Sequence, residues 1–350
     1  MSGRPFSRAA DVIEGGLAVR AYPAAVVEAG DSRGVRWTQP FGRLSNDASA
    51  AATSVDTIFD LASLTKVLAT TPLAARLADT GAISLADPVR NWIQEWRGKD
   101  REGVTLRSLL NHSSGLTAWL PLFRDYTGRR DFQHAICALP LEYAPDTQSI
   151  YSDFGFILLG FILEDAGRGP FAEQCESMLK AVTTAPLQFN PPAGLKPRTA
   201  PTELDSWRGR VLVGEVHDEN CWALGGAAGH AGLFGTAAAV GDFARAMLLS
   251  LKGTDSGLGK PETVRRFVTR TPVPGSRGLG WDTMLPTSSC GTRMSASAFG
   301  HTGFTGTSLW IDPERDLYVV FLTNRVHPTR ENNAIRPIRR ALHDAVVEEW

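Results

Sequence analysis

Ser63-Leu64-Thr65-Lys66 places a hydroxyl and an amine three residues apart, directly after the strand-like segment Thr57-Ile58-Phe59-Asp60-Leu61-Ala62. In a helix these two positions share one face, one turn apart. A serine at a helix start faces the positive end of the macrodipole and free backbone N–H groups. A lysine held among apolar neighbours can lose its proton near neutral pH and act as a general base. Two readings stand for this pair: an activated nucleophile, or an N-cap serine beside a surface cation. Ser-x-x-Lys recurs at Ser177–Lys180, but there it lies in the polar amphipathic stretch from Phe171 to Val182, a solvated helix face.

Two further elements favour the nucleophile. Tyr151-Ser152-Asp153 opens the apolar run from Phe154 to Leu163, and His301-Thr302-Gly303 lies between strand-like segments. Taken in order, the three motifs resemble those of the serine β-lactamase and penicillin-binding-protein superfamily. The likeness is to the branch of class C β-lactamases, D-alanyl-D-alanine carboxypeptidases, D-aminopeptidases and family VIII esterases. Leu109-Leu110-Asn111-His112-Ser113-Ser114-Gly115-Leu116 and Gly300-His301-Thr302-Gly303-Phe304-Thr305-Gly306 are similar to that branch as well. The resemblance implies Ser63 as nucleophile, Lys66 as its activating partner and Tyr151 as the proton shuttle. It also implies an oxyanion hole from the backbone N–H groups of Ser63 and Phe304, as acyl transfer requires. By the same resemblance, His301, with Thr302 and Gly303, lines the opposite wall and helps hold a substrate carboxylate or carbonyl.

Two residues depart from the β-lactamase pattern. Asp153 stands where an Asn is usual, and an anion there favours the ammonium form of Lys66. The expectation is that Lys66 stays charged and that an electrostatically acidified Tyr151 is the working base; the alternative is that Asp153 caps the helix that follows. His301 stands where β-lactamases carry Lys, and imidazole is mostly neutral above pH ~7. Weak β-lactam turnover and hydrolysis of short esters are therefore expected. The function read here is a serine hydrolase acting through an acyl-enzyme, an esterase or D-amino-acid peptidase. The alternatives are a class C-type β-lactamase with weak turnover and a non-catalytic binder of penicillin or cell-wall peptide.

Other chemistries find less support. No Walker loop, G-x-G-x-x-G, H-E-x-x-H or G-x-S-x-G occurs. His217-Asp218-Glu219 is a candidate ligand trio, but adjacent residues point in different directions, so neither metal nor cofactor is expected. His217 and His230 border a Gly-rich loop and read as structural histidines, and Trp222, Trp281 and Trp310 as core aromatics.

The elements that must position these residues follow from periodicity. Residues 17–43 read as a hairpin, and the run from Ser63 to about Asp79 as a helix stopped by Gly81. Helical patterns cover 105–111, 151–166, 171–182 and 237–252, with loops at 184–201 and 223–235. Strands are expected near 280–285, 307–311 and 317–322, then a terminal helix with Ile338, Leu342 and Ala345 on one stripe. The expected fold is α+β: an antiparallel sheet assembled from both chain ends and flanked by helices, as the resemblance also implies. Residues 1–58 and 272–350 would form the sheet domain, and 59–271 an inserted helical lobe.

Composition fits such a molecule. The 350 residues carry 36 basic and 37 acidic side chains, and no Lys/Arg run exceeds two, which argues against nucleic acid. No stretch approaches the ~20 apolar residues of a membrane span. The first residues lack the apolar core of a secretion signal, so a cytoplasmic location is expected unless an export signal has been trimmed. Cys137, Cys175, Cys221 and Cys290 are widely spaced and read as reduced thiols. The expected partner is a small ester, amide or β-lactam substrate.

Overall fold

The computed structural model describes residues 6–350; the first five residues of the segment read for a secretion signal lie outside them. Eleven strands and ten α-helices occur among the described residues. The strands are β1 (Ala24–Asp31), β2 (Gly34–Gly42), β3 (Phe59–Asp60), β4 (Leu187–Phe189), β5 (Leu204–Asp205), β6 (Arg210–Val211), β7 (Leu233–Gly235), β8 (Asp282–Thr283), β9 (Phe299–Thr302), β10 (Ser308–Asp312) and β11 (Leu317–Thr323). The helices are α1 (Ser7–Ala18), α2 (Thr71–Asp79), α3 (Leu106–Leu110), α4 (Gly128–Ala138), α5 (Asp153–Gly167), α6 (Phe171–Lys180), α7 (Glu219–Ala223), α8 (Ala237–Leu251), α9 (Pro261–Val268) and α10 (Ile335–Glu349).

The main sheet runs β2-β1-β11-β10-β9-β8 and is antiparallel throughout, joining the N-terminal hairpin to the C-terminal strands as expected from sequence. Its alternate side chains enter two cores. Val26, Leu309, Val320 and Leu322 face the large core shared with α5 and α8. Ala25, Val27, Trp310, Val319 and Phe321 face a second core closed by α1 and α10. With both faces covered, β1 and β11 are buried along their whole length.

Several expectations shift in detail. The hairpin begins at Ala24 rather than residue 17, because residues 7–18 form α1, which packs on α10. The 184–201 and 223–235 loops hold β4 and β7; β7 is the central strand of a three-stranded sheet, paired with β3 on one side and β4 on the other. His301 lies within a strand, paired with Leu309 of β10, rather than between strands. Trp281 and Trp310 are core residues, whereas Trp222 is 40% exposed, edge-on to Trp207. α5 is apolar almost all round, which suits a helix buried on every side.

Candidate active site

The chain turns sharply just before Ser63. Ala62 is held in the left-handed region at φ 47°, with its N–H donating to Asp60 Oδ1 at 2.8 Å. Non-glycine residues rarely adopt that conformation, and where they do it is often at functional sites. The segment is stapled from the opposite side. Thr305 Oγ1 donates to the Asp60 carbonyl at 2.7 Å and Thr307 Oγ1 to the Leu61 carbonyl at 3.1 Å. Gly303 permits this approach: a Cβ there would lie 2.5 Å from the Leu61 carbonyl oxygen. The turn after β9 is thereby fixed against Ser63. Among the described residues, neither the Ser63 nor the Phe304 N–H donates to a protein carbonyl.

Lys66 begins a π-helical turn, Lys66–Thr70, that leads into α2. Such turns concentrate at functional sites. Lys66 is fully buried; its ammonium donates to the His230 carbonyl at 2.9 Å and to Ser63 Oγ at 3.1 Å, and forms an ion pair with Asp153 Oδ1 at 2.8 Å. Burial pulls its pKa down, but Asp153 and Tyr151 outweigh burial and hold it above the ordinary lysine value. Ser152, not Asp153, supplies the side-chain cap of α5, leaving Asp153 free for the ion pair.

The His230 carbonyl reaches Lys66 because its loop lies against the backbone of α5. A Cβ on Gly229 would sit 2.1 Å from the Phe156 carbonyl oxygen, so only glycine fits. Thr70 Oγ1 donates to the Gly229 carbonyl at 2.6 Å and fixes the same loop.

Tyr151 OH donates to Ser63 Oγ at 2.8 Å. Its ring lies 4.7 Å from that of His112 and 4.9 Å below the Lys66 ammonium. The expected acidification does not occur. Burial, reinforced by the Asp153 charge, raises the phenol pKa, and the opposing pull of Lys66 is smaller. At rest the site therefore holds a neutral phenol and an ammonium around one hydroxyl.

His301 faces Tyr151 at 5.9 Å between ring centroids. Its Nδ1 lies 2.8 Å from the Thr302 carbonyl, which only accepts, so Nδ1 carries the proton and Nε2 offers a lone pair. Burial and the nearby Arg277 and Lys66 charges push its pKa well below normal. Neutral, with Nε2 unprotonated, His301 faces the cleft as a hydrogen-bond acceptor. Arg277 is the cation beside it, 5.5 Å over the Tyr151 ring.

The histidines near the Gly-rich loop are buried and paired. His217 Nε2 lies 2.9 Å from Glu203 Oε2, and its ring stacks on Phe304 at 5.6 Å. Burial alone would raise the Glu203 carboxyl, but His217 and Arg330 hold it at about 2. His230 Nε2 lies 2.8 Å from Asp218 Oδ1, and Glu219 pairs with Arg330 at 2.6 Å. The trio 217–219 thus diverges to three different partners and forms no ligand set. Ser177 and Lys180 are exposed on α6, as expected.

Sequence reasoning gave no role to two residues here, although His112 lies in the family-like stretch Leu109–Leu116. His112 accepts the Ser152 N–H on Nδ1 at 3.1 Å and stacks on Tyr151 and Phe156. Arg277 carried no motif; only its fold position brings it to the cleft. Two cavities meet at Ser63. One, of about 550 Å³, opens past Tyr151, His301 and Thr302 toward Arg277 and the start of α10. The other, of about 390 Å³, runs past Trp119, Ala118 and Phe304.

Comparison with known proteins agrees with this geometry. Residues 9–343 match the Beta-lactamase family. A protein of Salmonella agona (strain SL483), named "Putative D-alanyl-D-alanine carboxypeptidase", is 32% identical over 321 residues, covering 81% of this chain and 73% of the relative. Unliganded simvastatin synthase (LovD) from Aspergillus terreus superposes with a TM-score of 0.74 at 20% identity, over 100% of this chain and 99% of that one. EstCE1, "a hydrolase with promiscuous acyltransferase activity", gives 0.75 at 19% identity, over 96% and 97%. The penicillin-binding protein homologue of Pyrococcus abyssi gives 0.72 at 21%, over 92% and 74%. These structures share the fold. With the family match running nearly end to end, the chain belongs to the Beta-lactamase family and is a serine hydrolase of the β-lactamase/peptidase type.

Proposed function

We propose that Ser63 is the nucleophile of an esterase or D-amino-acid peptidase that turns over β-lactams weakly. The observation that carries this is the convergence of Lys66 Nζ and Tyr151 OH on Ser63 Oγ, at 3.1 and 2.8 Å. Attack on a carbonyl forms an ester on Ser63 Oγ and expels the alcohol, amine or lactam nitrogen; water then releases the acid. Tyr151 relays the proton between Ser63 and the leaving group, and Lys66 holds its charge beside both. The unpartnered N–H groups of Ser63 and Phe304 receive the developing oxyanion. A substrate carboxylate is met by Arg277, since His301 presents only a lone pair.

A small neutral ester and benzylpenicillin separate the substrate classes. The p-nitrophenyl acetate rate is expected to exceed penicillin turnover by at least about a hundredfold, some 2.7 kcal/mol of barrier. Comparable rates would place the chain among the β-lactamases proper.

The pH dependence tests Asp153. Its anion raises the pKa of both Lys66 and Tyr151. At rest both are protonated, so kcat/KM rises with pH as the pair loses a proton. In Asp153→Asn both groups lose that upward push, and the acid limb moves to lower pH. A limb that stays put removes Asp153 from the proton balance.

A further inference from the structure

Three arginines converge on the far wall of the 550 Å³ cavity, and among the described residues none has a carboxylate partner. Arg325 gives Nε to the Phe304 carbonyl at 2.8 Å and Nη1 to the Arg330 and Asn332 carbonyls at 2.9 and 2.8 Å, while Nη2 makes no hydrogen bond among the described residues. Arg339, on α10, is 7% exposed; Nη2 reaches the Thr307 carbonyl only at 3.4 Å, and Nε has no partner. Arg336, one turn earlier on α10, is exposed at the mouth. Burial, compounded by Arg325 and Arg336, pulls the Arg339 pKa down to about 10. Arg330 differs, because Glu203 and Glu219 each pair with it at 2.6 Å. The acids in the lining, Asp282 and Glu331, make no ion pair among the described residues.

Burying a guanidinium without an anion is unfavourable, and packing three near one another compounds the repulsion. Such an arrangement is sustained when a ligand supplies the missing charge. One carboxylate would neutralise a single arginine, whereas a phosphate group offers about two charges and three oxygens to planar donor forks. We propose that Arg325, Arg336 and Arg339 form a second subsite of the cleft that takes a phosphate-type dianion. Because the cavity continues to Ser63, this anion is carried by the substrate away from the bond attacked. The word substrate here rests on Ser63 as nucleophile; the anion site itself does not.

Calorimetric titration of inorganic phosphate, and separately of citrate, into the wild-type protein and into Ser63→Ala tests this at low salt. Phosphate is expected to bind both at one site with Kd near or below ~1 mM. Arg336→Gln should weaken binding at least about tenfold. Arg339→Met should abolish it and raise the melting temperature, since it removes an unpaired buried charge. No phosphate binding at 20-fold that concentration would overturn the subsite, and so would a lower melting temperature for Arg339→Met, which would make this arginine structural. Citrate binding tenfold tighter than phosphate would also overturn the assignment, giving the site to carboxylates. Phosphate binding in a protein whose Ser63 never acylates would support the subsite and overturn only the catalytic reading.

Discussion

Replacing Lys66 by Met is expected to lower kcat/KM for ester hydrolysis by at least about three orders of magnitude, because the nucleophile loses its activating partner. Stability should fall as well. Lys66 is fully buried, and the side chain of Asp153 is only 15% exposed, so the substitution strands a carboxylate beside an apolar helix. Breaking a buried pair from one side costs about 3–5 kcal/mol, and the residual exposure of Asp153 puts the figure at the low end. The double variant Lys66→Met/Asp153→Asn separates the two effects. It should recover most of the lost melting temperature in a thermal scan while ester turnover remains absent. Recovery of turnover along with stability would mean that Lys66 serves the fold and not the chemistry.

Tyr151→Phe should do the reverse, removing activity without loss of fold. The phenol oxygen makes one hydrogen bond, to Ser63, while the ring contacts with His112, His301, Lys66 and Arg277 survive in Phe. Loss of a positioned proton donor and acceptor lowers kcat by about 10²–10⁴. Burial keeps this phenol protonated at rest, so its part is to pass a proton, not to stand as a phenolate. Ester kinetics and circular dichroism on the same preparation check both halves. A fall in kcat of less than about tenfold with native-like spectra would take Tyr151 out of the relay.

Much of this site was legible because its chemistry is local. Ser63 and Lys66 sit three residues apart on one face, and Tyr151 opens an apolar helix whose pattern is plain in the sequence. The long, apolar β1 and β11 were equally plain, whereas β9, which carries His301, read as a connection between strands. What escaped depends on distant chain meeting distant chain. Nothing local in Ala62 signals a left-handed turn; Asp60 and the Thr305–Thr307 staples impose it. Gly229 reads as one glycine among several until α5 is laid against it. Arg277, Arg325, Arg336 and Arg339 are scattered single arginines whose meaning comes from sharing one cavity. The Tyr151 expectation failed for a related reason: sequence showed the neighbouring lysine, but not the burial that outweighs it. β4 and β7, three residues each, were too short to leave a periodic signal.

Acylation of Ser63 is read out by intact-mass measurement after incubation with a fluorophosphonate. One adduct per chain is expected, mapped to the peptide holding Ser63 and lost in Ser63→Ala. Absence of an adduct at saturating probe, or an adduct that persists in Ser63→Ala, would contradict it.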